Sequence, residues 1–243
     1  MRTQSTGLPA RARAFPATFG LLAVSVGVFV IQVLSEFVFG FDAVLALGAK
    51  INAAIAAGEV WRLATPIFIH GGLLHLFVNM YSLQAIGPSA ERLLGTPRML
   101  VFYLISGLGG VTLSLAFSPH PSVGASGALF GLLGVLAAFL LRHRPILGAS
   151  AEISLRRIGM VALLNLGLGL LPGIDNWGHV GGLVTGAALT WFSGPRLELE
   201  VVELTGLRYV DRRPWRSVQR LVLASAAAII LLALAAARFP LVG

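Results

Sequence analysis

The sequence predicts an all-α fold, a polytopic membrane bundle of seven transmembrane helices, from three features. Hydrophobic residues make up 56% of the chain and charged residues only 12%, with a mean hydropathy of +0.86. That is too little charge to cover a water-soluble globule of this size. The apolar residues gather into seven runs, each near the roughly 20 residues that cross a bilayer. Twenty-nine glycines suit helices that approach one another closely in lipid. The absence of cysteine excludes disulfides, thiol catalysis and Cys-ligated metals. A formal charge of +8 would suit a nucleic-acid partner, but the basic residues lie in short clusters between apolar runs, as topology signals do. No nucleic-acid partner is expected.

Taken in order, residues 1–18 carry Arg2, Arg11 and Arg13 among Gly, Pro and Ser and read as a cytoplasmic polar tail. Spans are expected at 19–39, 67–86, 98–117, 126–141, 155–171, 177–192 and 218–236. Residues 41–66 form a long first connection whose Ala-rich middle suits an interfacial helix, anchored by Trp61 and Arg62. The remaining connections are 88–97, 118–125, 142–153, 172–176 and 193–217. This divides the chain into the tail, a six-helix core at 19–193, a cytoplasmic linker at 194–217 and one further helix at 218–243. With seven spans, one side of the membrane holds fifteen Lys and Arg and the other three. The positive-inside rule then puts the N-terminus in the cytoplasm and the C-terminus outside.

That topology sets depths. Ser126 and His179 begin spans that run inward from the outer face, and His70, His75 and Asn79 lie near the start of another. Polar groups inside spans are costly and are functional candidates by default. The span beginning at Ser126 measures about 24 Å against about 30 Å of hydrocarbon, so its outer end stops below the surface, where irregular backbone needs a protein-lined or watery cavity. A serine hydroxyl needs a base to become a nucleophile. His179 is the better candidate, because Gly178, Gly182 and Gly186 form a small-residue stripe that can close on Gly127, Gly131 and Gly134. His75 and Asn79, at i and i+4, share a helix face and can stabilise an oxyanion.

Bland readings compete. Ser126 alone is a helix N-cap signal. His75 with Asn79 suits an interhelical polar patch, and Asp175, tempting as a triad acid, stands in a Pro-Gly turn. No His spacing resembles a metal site, so neither a metal nor a cofactor is expected.

Several of these residues fall into motifs that resemble the rhomboid intramembrane serine proteases: Trp61-Arg62, His75 with Asn79, Glu91-Arg92, Gly124-Ala125-Ser126-Gly127, and His179 with Gly182. The resemblance runs from about residue 61 to 192. It implies a Ser126–His179 dyad without a third acid, an oxyanion site built from the Ser126 N–H, His75 and Asn79, and cleavage of transmembrane protein substrates near the outer face. Phe130 stands where the family often has a Tyr stacked on the base. The seventh helix resembles a variant with one span added after the core. His70, Gly124, Phe130 and Trp177 are candidate lining residues, and the 172–176 turn with Trp177 is expected to cap the site. The bilayer is the implied surrounding and a bacterial inner membrane the expected location. The alternative is a non-catalytic member of this class that binds transmembrane clients.

Overall fold

The computed structural model describes residues 8–202 and 206–241. Seven long helices carry the architecture: α2 (Pro16–Phe39), α5 (Leu73–Leu94), α6 (Thr96–Phe117), α7 (Ser126–Arg142), α9 (Ala149–Leu168), α10 (Asn176–Ser193) and α11 (Trp215–Arg238). The short α1 (Leu8–Ala14) precedes them, and α3 (Ala43–Gly48), α4 (Asn52–Ala56), two 3-10 turns (Val60–Leu63 and Thr65–Phe68) and α8 (Arg144–Leu147) lie in the connections. Pro16–Phe39, Thr96–Phe117 and Trp215–Arg238 are long and apolar enough to cross a membrane, and Ser126–Arg142 is a shorter apolar helix. The chain is therefore an integral membrane protein built mainly of helices.

Three expectations are corrected. The 1–18 tail is helical from Leu8, and the bundle starts at Pro16; proline suits a first helical position because its missing N–H would be unpaired there anyway. Residues 88–94, expected to be a connection, continue α5 with Pro88 inside it. The buried Ala90, Glu91 and Leu94 hold that last stretch in the core, which outweighs the hydrogen bond a mid-helix proline removes. Nor is the fold purely α, because the 194–217 linker contains an antiparallel hairpin, β1 (Leu197–Val202) with β2 (Gly206–Asp211). The alternation in Leu-Glu-Leu-Glu-Val is the strand period.

The core centres on α6 and α7. Met99, Phe102, Tyr103, Leu132 and Val135 are fully buried there. Behind α6, Ala233 and Ala237 of α11 pack with Val111, Leu115, Ile55 and Leu63. By contrast α9 buries only Ala151 and Ala162.

Most arginines gather at one end of the bundle, while Arg62 and Arg238 lie toward the other. Arg142, at the end of α7, donates to the carbonyls of Thr190 and Trp191 at the end of α10, where the helix dipole favours a cation. Arg98 anchors the hairpin, pairing with Asp211 at 3.6 Å and donating to the Arg213 carbonyl. Near that end Glu91 accepts from the N–H groups of Ala17 and Thr18 at 2.8 and 2.9 Å, capping the unpaired donors of α2. The opposite end carries the first turns of α5, α7 and α10.

Candidate functional site

Glycine decides how close α7 and α10 come. A Cβ at Gly182 would overlap the Gly127 carbonyl oxygen, and one at Gly186 the Gly131 carbonyl oxygen. The two backbones are thus in direct contact along the expected stripe, a separation open only to residues without side chains. The Gly178 carbonyl lies against both Gly127 and Gly110, so α6 closes the same seam. Ser126 is the first residue of α7 and His179 lies in the first turn of α10, so this contact brings both to one layer.

Ser126 is half-buried, and it is not the helix cap. Ala125 occupies the N-cap position and makes no side-chain capping bond. The bland reading of Ser126 as a cap therefore loses its ground. His179 is 8% exposed, and Phe130 stacks on its ring with centroids 4.4 Å apart and planes 8° from parallel. Stacking fixes the imidazole plane without any phenol hydroxyl. The His179 Nδ1 is buried and has no hydrogen-bond partner among the described residues. Asp175, the tempting third acid, instead caps α10 by accepting from the Gly178 N–H at 2.9 Å.

His75 lies on the other side of the serine loop. Its Nδ1 accepts from the Gly71 N–H at 3.2 Å, and a backbone N–H can only donate. The neutral ring therefore carries its proton on Nε2. That edge faces Gly124, where a Cβ would fall 2.7 Å from both Cε1 and Nε2 of His75 and 3.8 Å from the Ser126 Oγ. Gly124 has φ +123°, a backbone region in which only glycine is unstrained. Asn79, 4% exposed, donates one amide hydrogen to the His75 carbonyl at 2.9 Å. Its Oδ1 is buried with no hydrogen-bond partner among the described residues, so the amide keeps unused hydrogen-bonding capacity on the helix face it shares with His75.

His70 is fully buried and sits edge-on to His75, with ring centroids 5.3 Å apart. Its Nδ1–H donates to the Phe68 carbonyl at 3.2 Å. Gln32 of α2 brackets its backbone, accepting from the His70 N–H and donating to its carbonyl, both at 3.0 Å. His70 therefore packs behind His75. Trp177, 44% exposed, stacks on Phe117 with centroids 4.6 Å apart, at the rim.

Beside Ser126 lies a cavity of about 30 Å³ lined by Pro66, Gly107, Gly110, Ser126, Asp175 and Gly178, whose lining includes none of His75, Asn79 and His179. That is about the room one water needs. Among the described residues no group of His, Asp and Glu has a metal-binding arrangement. Trp61 and Arg62 stand away from the cavity and lock α3: the indole donates to the Leu47 carbonyl, and the guanidinium to the carbonyls of Ala46 and Ala49.

Sequence reasoning missed three supports. Gln32 is a lone amide in an apolar run, and that oddity was its signal. Pro66, whose carbonyl accepts from the Gly124 N–H at 2.9 Å, offers none. Lys50, described below, was visible as the sole lysine.

Comparison with known proteins bears on the part of the chain that holds these residues. The rhomboid domain family model matches residues 57–196. The chain is 44% identical over 150 residues to rhomboid protease GluP of Bacillus subtilis, covering 60% of this chain and 28% of that protein. It is 41% identical over 143 residues to RHOMBOID-like protein 4 of Arabidopsis thaliana, covering 58% and 36%. With RHOMBOID-like protein 7 of the same plant it shares 35% identity over 178 residues, 72% of this chain and 56% of the relative. The chain thus spans between about a quarter and somewhat over half the length of these relatives. A match over more than half of the chain, on the residues that build the glycine seam and the serine loop, places this protein in the rhomboid family.

Proposed function

We propose that the protein is an intramembrane serine endopeptidase that cleaves transmembrane segments of other proteins near their outer ends. The backbone contact between the first turns of α7 and α10 carries this reading, because it places a serine and a plane-fixed imidazole in one layer. The name of the Bacillus relative, a rhomboid protease, supports it independently.

In this reading the Ser126 Oγ attacks the carbonyl carbon of the scissile peptide while His179 takes the hydroxyl proton. Charge develops on the carbonyl oxygen, which the Ser126 N–H, the His75 Nε2–H and the free Asn79 amide hydrogen stabilise as preorganised donors. His179 then gives its proton to the departing amine, leaving an acyl ester on Ser126. Water, activated by the same imidazole, hydrolyses that ester and restores the serine. Asp175 is engaged at the helix cap, so the pair works as a dyad. A helical substrate hides its peptide bonds in its own hydrogen bonds, so segments with helix-breaking residues near the outer interface are the favoured substrates.

Taken with seven spans, the charge count supports a cytoplasmic N-terminus and an outer site. The relatives come from a bacterium and a plant, one of them mitochondrial, and the bacterial inner membrane rests on the Arg-biased composition. An alkyl fluorophosphonate tests the site without any substrate. It is expected to label wild type once, at Ser126, and to leave Ser126→Ala and His179→Ala unlabelled. Unlabelled wild type would favour the non-catalytic client-binding alternative.

A further inference from the structure

Of the eighteen basic residues in the chain one alone is a lysine, Lys50, and its side chain is fully buried. It lies between α3 and α4, remote in sequence from the serine loop. Its ammonium donates to the carbonyls of Ser118 at 2.8 Å and His120 at 3.0 Å, with Ser114 at 3.4 Å. An ammonium has three hydrogens and no lone pair, so three carbonyl oxygens match it; a planar, forked guanidinium does not. Ser114 and Ser118 close the C-terminal end of α6, where the helix dipole attracts a cation.

The backbone of Lys50 completes the grip. Its N–H donates to the Ser122 carbonyl at 3.0 Å, and its carbonyl accepts from the Ser122 N–H at 3.2 Å. Residues 118–125, which lead into Ser126, form no helix or named strand of their own. Further fixed points are the Asn52 amide, which donates to the Ser118 carbonyl at 3.1 Å, the Gly124 bond to Pro66 and the His75 ring against Gly124. Lys50 is itself held from behind, because Arg62 donates to the Ala49 carbonyl at 2.8 Å. Burial pushes the Lys50 pKa down to about 8, opposed by the Asp175 carboxylate. A charge kept in so dry a place is costly, which is unexpected of a surface loop that needs only to be soluble.

We propose that Lys50 is a positioning residue for Ser126: its ammonium and backbone clamp the 118–122 segment onto the end of α6 and so fix the approach of the serine loop to His75 and His179. This rests on the protease reading above. The ammonium bonds carbonyls of the α6 end and the loop rather than Ser126 or His179, so the effect travels along the loop from Ser122, which lines the same cavity as Ser126.

The test compares wild type with Lys50→Met and Lys50→Gln, the second retaining two donors. Hydrogen exchange at the Ser122 and Gly124 amides should rise in both variants, while exchange within the middle turns of α7 stays at the wild-type rate. Cleavage of a reporter transmembrane substrate should lose at least tenfold in kcat with KM within about twofold. Fluorophosphonate labelling of Ser126 should slow in step. Active wild type with unchanged kcat in Lys50→Met, or unchanged exchange at residues 118–124, overturns the inference. Wild type that neither labels nor cleaves instead overturns the protease reading, so the two failures are distinguishable. Should both variants fail to fold, Lys50→Arg decides, because it keeps the charge while its planar fork does not match the carbonyl set: labelling of Ser126 should slow at least about tenfold, and labelling at the full wild-type rate refutes the clamp.

Discussion

Gly124→Ala perturbs the site at one atom. The added Cβ would stand 2.7 Å from Cε1 and Nε2 of His75. Ordinary contact begins near 3.4 Å, so the ring or the loop must yield by about 0.7 Å. The ring is fixed on its far side by the Gly71 N–H and by the edge of the His70 ring. The displacement therefore falls on the donor geometry between Nε2 and Ser126. Loss of one preorganised oxyanion donor costs about 10²–10³ in kcat. The backbone adds a separate term: φ +123° at an alanine costs about 1–3 kcal/mol of stability. Gly58→Ala is the control, since it has φ +109° and nothing within 4 Å of its Cβ position. It should lose comparable stability while keeping kcat within about threefold. The assay is steady-state cleavage of a reporter transmembrane substrate in detergent or liposomes, with thermal unfolding of both variants alongside. If Gly124→Ala cleaves at the wild-type rate while folded, His75 Nε2–H is not an oxyanion donor.

Other consequences follow from the same geometry. Gly182→Val forces α10 away from the Gly127 carbonyl; overpacking of this kind costs about 1–3 kcal/mol, and cleavage should fall at least a hundredfold because small misplacements of reacting groups are so costly. Asn79→Ala removes a donor whose other hydrogen is spent on its own helix, so kcat should drop about 10²-fold with KM nearly unchanged. His143, between α7 and α8, bonds the Phe139 carbonyl through Nδ1 and accepts from the Leu197 N–H at 3.0 Å through Nε2. Burial first holds its pKa below the usual imidazole value, with contributions from Arg142, Arg196 and Asp211 as well as the Phe139 carbonyl. A depressed folded pKa means that the unfolded chain takes up the proton first as pH falls, so this stability is present above about pH 6.5 and lost below it. Wild type should lose more thermal stability between pH 7 and pH 5 than His143→Gln, and equal losses would show that the hairpin anchor does not depend on the neutral ring.

What could be read in the sequence was whatever repeats with a period or sits at a fixed spacing. That α10 closes on α7 through glycine follows from the two stripes, because one helical turn brings each small residue back to the same face; the register, Gly182 on Gly127 and Gly186 on Gly131, is set by the structure. Ser126, His179, His75 and Asn79 were placed at one depth by the charge count, and the structure brings the first turns of their helices together. Their roles still await the chemistry. Pro88 was misread because a local breaking signal is overridden when the residues beyond it, Glu91 above all, are bound into the core. The hairpin was missed although its alternation was present, since a polar segment between spans was read only for its charge. Lys50, Gln32 and Pro66 act on groups tens of residues away, and no local pattern encodes such a partner.

The central claim is that one serine and one imidazole, brought to one layer by the glycine seam, perform the cleavage. Its most direct test is a purified, reconstituted reporter transmembrane substrate incubated with wild type, Ser126→Ala and His179→Ala, with products identified by mass spectrometry. The account predicts a single cut near the outer end of the segment with wild type and at least a 10³-fold loss with either variant, as expected when members of one catalytic unit are removed. Cleavage at the same bond by folded Ser126→Ala or His179→Ala, at a rate near that of wild type, would contradict it.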